Sequence, residues 1–565
     1  MPIQIRVDRQ KIEAQEGQKL DQVLAQNKID LPDLAYKLKS GKIVHTDLIE
    51  ETKSKQVFSA QELTVTGKMR VGLHSGLARQ HRREAFQMIK KDCCTAHQAA
   101  TPEKCKLCEK IDQYLEYDLS NPKEKGVYPV YQMAEAAEID ATACIGCNKC
   151  VEACARIGIN HLSLTGEDKS QHVVSSDDPE NDCIYCGQCT VSCPVKSARE
   201  QSHIQQVEAA LTDPDLVTVV QMAPSVRASI GEEFGAEVGL NLEKKMFTAF
   251  RKLGFNHVFD VNMGADITTI VEAEELVERI QHGGVMPMFT SCCPAWVKFV
   301  EFYYPEMIPH LTDARSPQIH SGGAYKTWWA EKEGIDPKKI RVISIMPCTS
   351  KKYEARHEKL KIDGMWPVDY VLTTREIAYL LKKHEIDLLE LEDGELDSYG
   401  EYSGAAAIYG ASGGVMESAL RTAANLLEGK DLEKLEFEQV RGMEGIKKAE
   451  VALSGKTYKV AVATMAVNMH QLIKEVKANP KAYDYIEFMA CPGGCIGGGG
   501  QPIPASDEKT AKRIEGLYSI DGTMSLRQAH RNKIAVEFME YANQQSDERK
   551  RQLLFTSYEK RQKGE

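Results

Sequence analysis

The chain has 565 residues, of which 42% are hydrophobic and 27% are charged, and its formal net charge at pH 7 is −11. A chain of this length is expected to fold as several domains with packed cores. The acidic balance without basic tracts argues against a nucleic-acid partner, and no stretch approaches the roughly 18 continuous apolar residues that a membrane-spanning helix needs.

The 17 cysteines indicate a reducing compartment. Disulfide frameworks are typical of small secreted domains, and the start of the chain, Met1–Arg6, lacks the charged-then-apolar layout of a secretory signal. Runs of cysteines three residues apart are also spaced for metal clusters rather than for disulfides. We therefore expect a cytoplasmic protein whose thiols are reduced.

Residues 1–68 contain no cysteine and read as a small α+β module. Ile3–Val7 alternates like a strand, Lys19–Ile29 has the apolar spacing of a short helix, and Glu62–Thr66 is strand-like again. The module resembles the β-grasp domain of plant-type ferredoxins, which holds a [2Fe–2S] cluster through four cysteines. Since those cysteines are absent here, the resemblance implies a domain that has lost its cluster and is structural or docks a partner.

Residues 69–133 predict a helical segment with an accessory cysteine site. Gln80–Lys90 favours a helix, and the segment then carries Cys93, Cys94, Cys105 and Cys108. His97 or His81 could supply a further ligand. An accessory [4Fe–4S] cluster is the favoured interpretation, with structural zinc and inert thiols as the alternatives.

Residues 134–204 hold two C-x2-C-x2-C-x3-C runs. The first consists of Cys144, Cys147, Cys150 and Cys154, and the second of Cys183, Cys186, Cys189 and Cys193. Such triplets are typical of [4Fe–4S] ligation, whereas structural zinc sites usually show two separated C-x2-C pairs. The runs resemble those of two-cluster ferredoxins, in which the fourth cysteine of each run ligates the other cluster. This resemblance implies one cluster on Cys144, Cys147, Cys150 and Cys193, and a second on Cys183, Cys186, Cys189 and Cys154.

Residues 205–505 have the pattern of a large α/β domain. Apolar runs that alternate with amphipathic helices predict strands at Leu216–Val220, Met286–Phe289, Val342–Ile345 and Val460–Ala463. The glycine-rich stretch Gly497–Gly500 lacks the flanking residues of a phosphate-binding loop. Residues 506–565 are charged and predict a helical tail.

Five cysteines lie in the α/β part: Cys292, Cys293, Cys348, Cys491 and Cys495. Each alone would be a buried small hydrophobe or a thiol in a turn. Together, four of them suffice for one more cubane, and Cys292 is left over. Nearby glycines permit a close backbone approach to an inorganic group, and Lys351 offers a compact ammonium to a small anionic ligand.

Three segments resemble the signature motifs of [FeFe]-hydrogenases: Thr290–Trp296 (TSCCPAW), Met346–Glu354 (MPCTSKKYE) and Glu487–Pro502 (EFMACPGGCIGGGGQP). The resemblance implies an H-cluster, in which a [4Fe–4S] cubane on Cys293, Cys348, Cys491 and Cys495 is joined through Cys495 to a diiron subcluster with CO, CN⁻ and dithiolate ligands. The implied reaction is 2H⁺ + 2e⁻ ⇌ H2.

The same resemblance implies roles for the surrounding residues. Lys351 and Ser225, which follows Pro224, would hydrogen-bond cyanide, and the diiron pocket would be lined by Gln318, Met346 and Met489. Cys292 would be the first proton donor, and the outward relay would be Glu272, Thr312 and Glu275, with threonine in place of the family's serine. The two glutamates lie three residues apart on a predicted amphipathic helix, Ile270–Ile280, so they can share one face. Without the resemblance, such a pair would be interpreted as a solvated helix face. Two departures, Ala295 for glycine and Pro492 for the histidine of some members, lie beside cluster ligands and are expected to alter the electrostatics of the cubane.

The resemblance to [FeFe]-hydrogenases implies a multidomain α/β and α+β architecture: a β-grasp-like domain, a ferredoxin-like 2[4Fe–4S] domain, a large α/β catalytic domain and a small-subunit-like tail. The accessory site departs from the family, which there spaces one histidine and three cysteines as H-x3-C-x2-C-x5-C. The implied partners are a ferredoxin or similar soluble electron carrier and the H-cluster maturation proteins. The alternatives are a redox or H2 sensor, a non-catalytic iron–sulfur assembly relative, and electron bifurcation with a nucleotide-binding partner.

Overall fold

The structure is a computed structural model that describes residues 128–166 and 171–564. In the N-terminal part it describes the segments 2–7, 10–27, 35–37, 43–45, 48–51, 56–60 and 70–72, together with Val65, His81, Arg82 and Ala85. The chain divides into two compact units. The first comprises residues 1–129, 142–147 and 165–172, and the second comprises residues 130–141, 148–164 and 173–565.

The described residues of the first unit include a mixed five-stranded sheet, a separate pair of short strands and a short helix. Its strands are β1 (Pro2–Val7), β2 (Gln10–Gln15), β3 (Ala35–Lys37), β4 (Ile43–His45), β5 (Leu48–Glu51), β6 (Gln56–Ser59) and β7 (Arg70–Gly72), and its helix is α1 (Leu20–Gln26). Five strands form a sheet of order β2-β1-β7-β5-β6, in which β1 and β7 are parallel and the other neighbours antiparallel. Leu20, Val23 and Leu24 of α1 are buried in an apolar core with Val7 and Val71.

The strand predicted at Ile3–Val7 and the helix predicted from Lys19 are confirmed, although the helix ends earlier, at Gln26. Asn27 follows it and bonds back to the Val23 carbonyl through its side chain, at 2.8 Å. The strand predicted at Glu62–Thr66, most of the helix predicted at Gln80–Lys90, and the cysteines Cys93, Cys94, Cys105 and Cys108 lie outside the described residues.

The segments that carry the two cysteine runs consist of short elements. The strands are β8 (Val130–Met133), β9 (Ala137–Asp140), β10 (Leu162–Thr165), β11 (His172–Ser175) and β12 (Ala198–Glu200), and the helices are α2 (Lys149–Ile157) and α3 (Gln188–Ser192). The sheets have the orders β12-β9-β8 and β10-β11. Helix α2 carries Cys150 and Cys154, and α3 carries Cys189.

The α/β part is built on two four-stranded sheets. Its strands are β13 (Val217–Met222), β14 (His257–Asp260), β15 (Met288–Phe289), β16 (Ile340–Met346), β17 (Tyr370–Thr373), β18 (Ile446–Leu453), β19 (Lys456–Thr464) and β20 (Tyr485–Met489). The sheet β14-β13-β16-β17 is entirely parallel, and in the sheet β15-β20-β19-β18 only β18 is antiparallel to its neighbour. All four predicted strands are confirmed, with shifted ends.

Helices cover both sheets. They are α4 (Ile204–Thr212), α5 (Pro224–Arg227), α6 (Glu243–Leu253), α7 (Val261–His282), α8 (Pro294–Tyr303), α9 (Pro317–Ala324), α10 (Ala330–Glu333), α11 (Ser350–Glu354), α12 (Thr374–Lys383), α13 (Gly404–Ala407), α14 (Gly414–Glu428), α15 (Ala466–Ala478), α16 (Asp507–Thr523), α17 (Lys533–Asn543) and α18 (Asp547–Leu554). A π-helical turn, Tyr325–Trp329, connects α9 to α10. The predicted helical tail is confirmed in α16, α17 and α18.

The long helix α7 runs through the core. It begins at Asp260, whose carboxylate caps the Asn262 amide at 2.9 Å, and its residues from Val261 to Ala273 are buried. Among the described residues, no helix is both long enough and apolar enough to cross a membrane.

Candidate active site

One buried cavity lies where strands of both sheets end. Strands β13, β15, β16 and β20 lead into the segments that carry most of the predicted site residues. Ligand sites of open α/β sheets form at the carboxyl ends of strands. A cavity of about 70 Å³ lies there, and it is lined by all five cysteines of the α/β part: Cys292, Cys293, Cys348, Cys491 and Cys495.

Four of these thiols form a set. Cys293, Cys348 and Cys491 are buried and Cys495 is half-buried. Burial, and then the charge of Cys293, raise the pKa of Cys348 to about 11, and burial together with Cys348 raises the pKa of Cys491 well above its usual value. Buried thiols that resist ionisation on their own are held as thiolates by iron. The donor set therefore fits a [4Fe–4S] cubane.

Two polar atoms in the cavity wall have no partner. The Ser225 hydroxyl and the Gln318 Oε1 atom are buried and, within the described residues, make no hydrogen bond. Buried polar atoms are normally satisfied, so these two fit a bound group that carries polar ligands. Pro224, Met346 and Met489 complete the predicted lining of the pocket.

Lys351 reaches the same cavity from the start of α11. Its ammonium donates to the Cys292 carbonyl at 2.9 Å and to the Glu354 carboxylate at 2.9 Å. Burial disfavours the charged ammonium of Lys351, but the negative charge of Glu354 outweighs this effect. The pKa of Lys351 is therefore raised. Gln318 Nε2 donates to the same Glu354 carboxylate at 2.6 Å. Sequence reasoning missed Glu354, although its position three residues after Lys351 on a helix was a usable signal.

Cys292 is buried and lines the cavity beside the set of four. Burial, followed by the negative charge of Glu272, raises the pKa of the Cys292 thiol well above its usual value. Glu272 therefore lies close enough to the Cys292 thiol to disfavour its ionisation. The raised pKa favours the protonated form of the Cys292 thiol, which lies beside the other four cysteines of the cavity.

Glu272 lies fully buried on α7. Burial and the charges of Glu275 and Glu487 raise the pKa of Glu272 to about 8. Its Oε1 atom accepts a hydrogen bond of 2.5 Å from the Tyr485 hydroxyl, and its Oε2 atom has no partner among the described residues. Tyr485 was missed from the sequence, because it lies 213 positions further along the chain.

Thr312 and Glu275 form the outer part of the predicted relay. The buried Thr312 hydroxyl donates to Glu275 Oε2 at 2.5 Å, and the Asp313 amide donates to the same oxygen at 3.0 Å. Arg279, one turn further along α7, forms an ion pair with the other Glu275 oxygen. No direct hydrogen bond joins Thr312 to Glu272 in the described part of the chain. The structure brings the three relay residues together without connecting all of them.

The thiols of the second predicted ferredoxin-type set also lie together. Burial, then Cys186 and Cys154, raise the pKa of Cys183, and burial with Cys183 and Cys186 raises the pKa of Cys189. Burial raises the pKa of Cys186 to about 12, and the charges of Cys154, Cys348 and Cys293 contribute. The second set therefore borders the set in the cavity.

In the first predicted ferredoxin-type set, Cys144, Cys150 and Cys193 are buried and Cys147 is exposed. The Gly146 amide donates to the Cys144 sulfur at 3.3 Å, and the Ala198 amide donates to the Cys193 sulfur at 3.4 Å. Within the residues that the structure describes, no three histidine, cysteine or acidic side chains are grouped around the position of a single metal ion.

The chain matches two protein-family models. Residues 217–499 match the model described as iron only hydrogenase large subunit, C-terminal domain. Residues 143–197 match the 4Fe-4S dicluster domain. The two ranges contain all thirteen cysteines of the runs and the cavity.

Characterised relatives cover most of the chain. It is 42% identical to iron hydrogenase 1 of Clostridium pasteurianum over 78% of each chain. It is 38% identical to the NADP-reducing hydrogenase subunit HndD of Solidesulfovibrio fructosivorans over 88% of each chain. The fold is similar to that of the apo [FeFe]-hydrogenase HydA1 from Chlamydomonas reinhardtii, with a TM-score of 0.57, 36% identity, and coverage of 64% of this chain and 99% of that one.

Proposed function

The chain belongs to the iron-only, or [FeFe]-, hydrogenase family, and we propose that the cavity lined by its five cysteines is where this enzyme exchanges protons and electrons with H2. When bound, the H-cluster supplies the iron centre for 2H⁺ + 2e⁻ ⇌ H2. The observation that carries the assignment is the convergence of four buried thiols with a fifth, Cys292, beside them.

The binding roles follow from the cavity wall. Cys293, Cys348, Cys491 and Cys495 would hold the cubane. Ser225 and Lys351 would donate to the small anionic ligands of the cluster, and the unpartnered Ser225 hydroxyl and the Lys351 ammonium support this role. Glu354 and the Cys292 carbonyl hold that ammonium in place. The apolar side chains of Met346 and Met489 exclude water from the pocket.

The proton roles are assigned to Cys292, Glu272, Thr312 and Glu275. Cys292 holds a proton at its sulfur against the cavity, and Glu272 carries one at its carboxyl, which burial keeps protonated up to about pH 8. Thr312 passes a proton along its hydrogen bond to Glu275, which lies nearer the surface. The Oε2 atom of Glu272, which has no partner among the described residues, is the oxygen of this carboxyl that can bind the next proton carrier.

The test is to produce the protein anaerobically with the diiron maturation machinery. The parent should show the infrared bands of CO and CN ligands and evolve H2 from reduced methyl viologen. Cys292→Ala should keep those bands and lose most of its turnover, because it removes the proton carrier and no ligand. Absence of bands in the matured parent would overturn the site, and full turnover of Cys292→Ala would overturn the proton route.

The partner assignments rest on the N-terminal half. The two runs would ligate two [4Fe–4S] clusters in crossed sets, and the accessory site on Cys93, Cys94, Cys105 and Cys108 would hold a third. Such a series of clusters suits exchange with a ferredoxin-type carrier. The sheet order β2-β1-β7-β5-β6, with helix α1 packed in its core, supports a β-grasp-like N-terminal domain. The domain boundaries and a cytoplasmic location stay predictions.

A second candidate is a subunit of a larger complex that also handles a pyridine nucleotide. The similarity over 88% of both chains to a subunit of an NADP-reducing hydrogenase favours it. Co-purification of the native enzyme would separate the two candidates. A lone chain that reduces ferredoxin supports the first, and a stable partner with NAD(P)-dependent activity supports the second.

A further inference from the structure

Two glycines form a backbone contact between the second cysteine run and the loop that follows Cys495. A Cβ atom added at Gly499 would lie 2.5 Å from the Cys186 carbonyl oxygen and 2.6 Å from the Gly187 Cα atom. Real Cβ atoms do not approach backbone so closely, so the contact admits only glycine at this position. Gly187 itself has a φ of +69°, which L side chains rarely adopt.

Hydrogen bonds hold the two loops against each other. The Thr190 hydroxyl lies 2.8 Å from the Gly499 carbonyl and 2.9 Å from the Gly187 carbonyl, so its one hydrogen can bond either loop. Gln188 Nε2 donates to the Gly497 carbonyl at 2.8 Å. Arg375 donates to the Gly499 carbonyl at 2.9 Å.

The same cysteine loop is held from its other side. The Thr349 and Ser350 hydroxyls both donate to the Tyr185 carbonyl, at 2.9 Å and 2.7 Å. These two residues directly follow Cys348, and Tyr185 directly precedes Cys186. The two hydrogen bonds hold the backbone before Cys186 against the segment that follows Cys348.

We propose that Gly187 and Gly499 are positioning residues for electron exchange: their contact sets the gap between the thiols of the second ferredoxin-type set and those of the active-site cubane. The glycine-rich stretch Gly497–Gly500, which lacks the flanking residues of a phosphate-binding loop, would then have a structural role. It lets two loop backbones approach without side chains between them.

This inference rests on the proposed ligation of a cubane by each thiol set. Across the contact, one electron at a time passes from the set around Cys186, where the centre is oxidised, to the set around Cys348, where the centre is reduced. No bond forms or breaks. Because electron tunnelling slows steeply with distance, a contact that shortens the gap raises the rate in both directions.

The test compares Gly499→Ala with Gly522→Ala. Gly522 has open space around its Cβ position and lies in helix α16, so alanine fits there without a clash. Both variants and the parent are loaded with [4Fe–4S] clusters only, reduced, and measured by electron paramagnetic resonance. We expect Gly499→Ala to keep the parent's iron content and to lose much of the magnetic splitting between the two neighbouring cubanes, while Gly522→Ala retains it.

Thr190→Val provides a second measurement in case alanine at Gly499 prevents folding. It removes the hydroxyl between the two loops and adds no volume, so the splitting should weaken in the same direction. Unchanged splitting in Thr190→Val, or in a folded Gly499→Ala with full iron content, overturns the inference. A parent that lacks the iron of either set would instead contradict the ligation on which it rests.

Discussion

At the scale of single residues, Glu272 has the most unusual environment in the proton route. It is fully buried on α7, and burial with two nearby carboxylates raises its pKa to about 8. Tyr485 provides one hydrogen bond at 2.5 Å, which favours the ionised form without overcoming the burial. The folded protein therefore holds a proton that the unfolded chain releases near the ordinary glutamate pKa.

The sign of the resulting pH dependence follows from linkage. Between the ordinary value of 4.5 and about 8, the folded state binds one proton more at Glu272 than the unfolded state does. The free energy of unfolding therefore falls as the pH rises through this window, by at most about 1.4 kcal/mol per pH unit from this group. Glu272→Gln lacks this contribution, so its melting temperature should rise relative to the parent's between pH 5 and pH 8.

A matched control is Glu278→Gln, which changes an exposed glutamate of the same helix. Its melting temperature should follow that of the parent across the pH range. Glu272→Gln should also lose most H2 evolution, because an amide cannot carry the proton. A constant offset from the parent at every pH would contradict the raised pKa.

At the scale of elements, the neighbouring helices α7 and α9 both contribute residues to the cavity wall, among them Ala265 of α7 and Gln318 of α9. Gly264 of α7 faces α9, where a Cβ atom would clash with the Pro317 carbonyl and lie 2.8 Å from the Ser321 amide. Helix α7 carries Glu272 and α9 carries Gln318, so the close crossing determines how near these side chains come to the cavity. The small residue at the crossing is therefore required by the packing.

Gly264→Ala should separate these helices. Overpacking of a tight core contact costs about 1–3 kcal/mol, so the melting temperature should fall clearly, although alanine favours a helix at an unconstrained position. Thermal unfolding followed by circular dichroism measures this, with Gly522→Ala as the control that adds the same methyl group in open space. A melting temperature equal to that of the control would show that the crossing can relax.

The sequence predicts these elements to different degrees. It indicates a helix only over Ile270–Ile280, whereas α7 extends from Val261 to His282. The part before Ile270 is buried, so it lacks the polar face that makes a helix visible as a periodic pattern. The strand predicted from Met286 begins at Met288, since Pro287 has no amide hydrogen for a sheet.

The residues of the site could also be predicted from the sequence to different degrees. The cysteines could be grouped by their spacing and by resemblance, because ligand patterns are local in sequence. Tyr485 and Arg279 could not be assigned, since the first meets Glu272 only in the folded chain and the second reads as an ordinary exposed helix residue. The contact between Gly187 and Gly499 likewise joins two loops that the sequence places far apart.

At the scale of the whole molecule, the last residues of the described chain contact the segment that leads into the second cysteine run. The Gly564 amide donates to Asp182 Oδ2 at 3.0 Å, and Lys563 donates to the Asp178 carbonyl at 2.8 Å. The other Asp182 oxygen accepts from the Cys183 amide at 2.8 Å. Asp182 also forms a buried ion pair of 3.0 Å with Lys298 of α8. The tail therefore supports the carboxylate that orients the first cysteine of the run.

Deleting the chain after Gln562, which keeps the contacts of Arg561 with Glu301, should loosen this segment without disturbing the sheets. The loss of three hydrogen bonds, from Lys563 to the carbonyls of residues 176 and 178 and from the Gly564 amide to Asp182, exposes the backbone before Cys183. We expect faster amide hydrogen exchange in residues 176–183 and faster release of iron to a chelator under anaerobic conditions. The exchange of β13 and β16, deep in the core, should stay as in the parent.

Lys560→Ala is the control for this deletion, because it alters an exposed lysine of the same tail and leaves the contacts of Lys563 and Gly564 in place. Its exchange and its iron release should match those of the parent. Asp182→Asn adds a direct test of the same chain of contacts, since it weakens the ion pair with Lys298 and should accelerate iron release with the tail intact. If the deletion leaves exchange in residues 176–183 unchanged while Asp182→Asn accelerates iron release, the carboxylate orients the cluster loop and the tail contributes nothing to it.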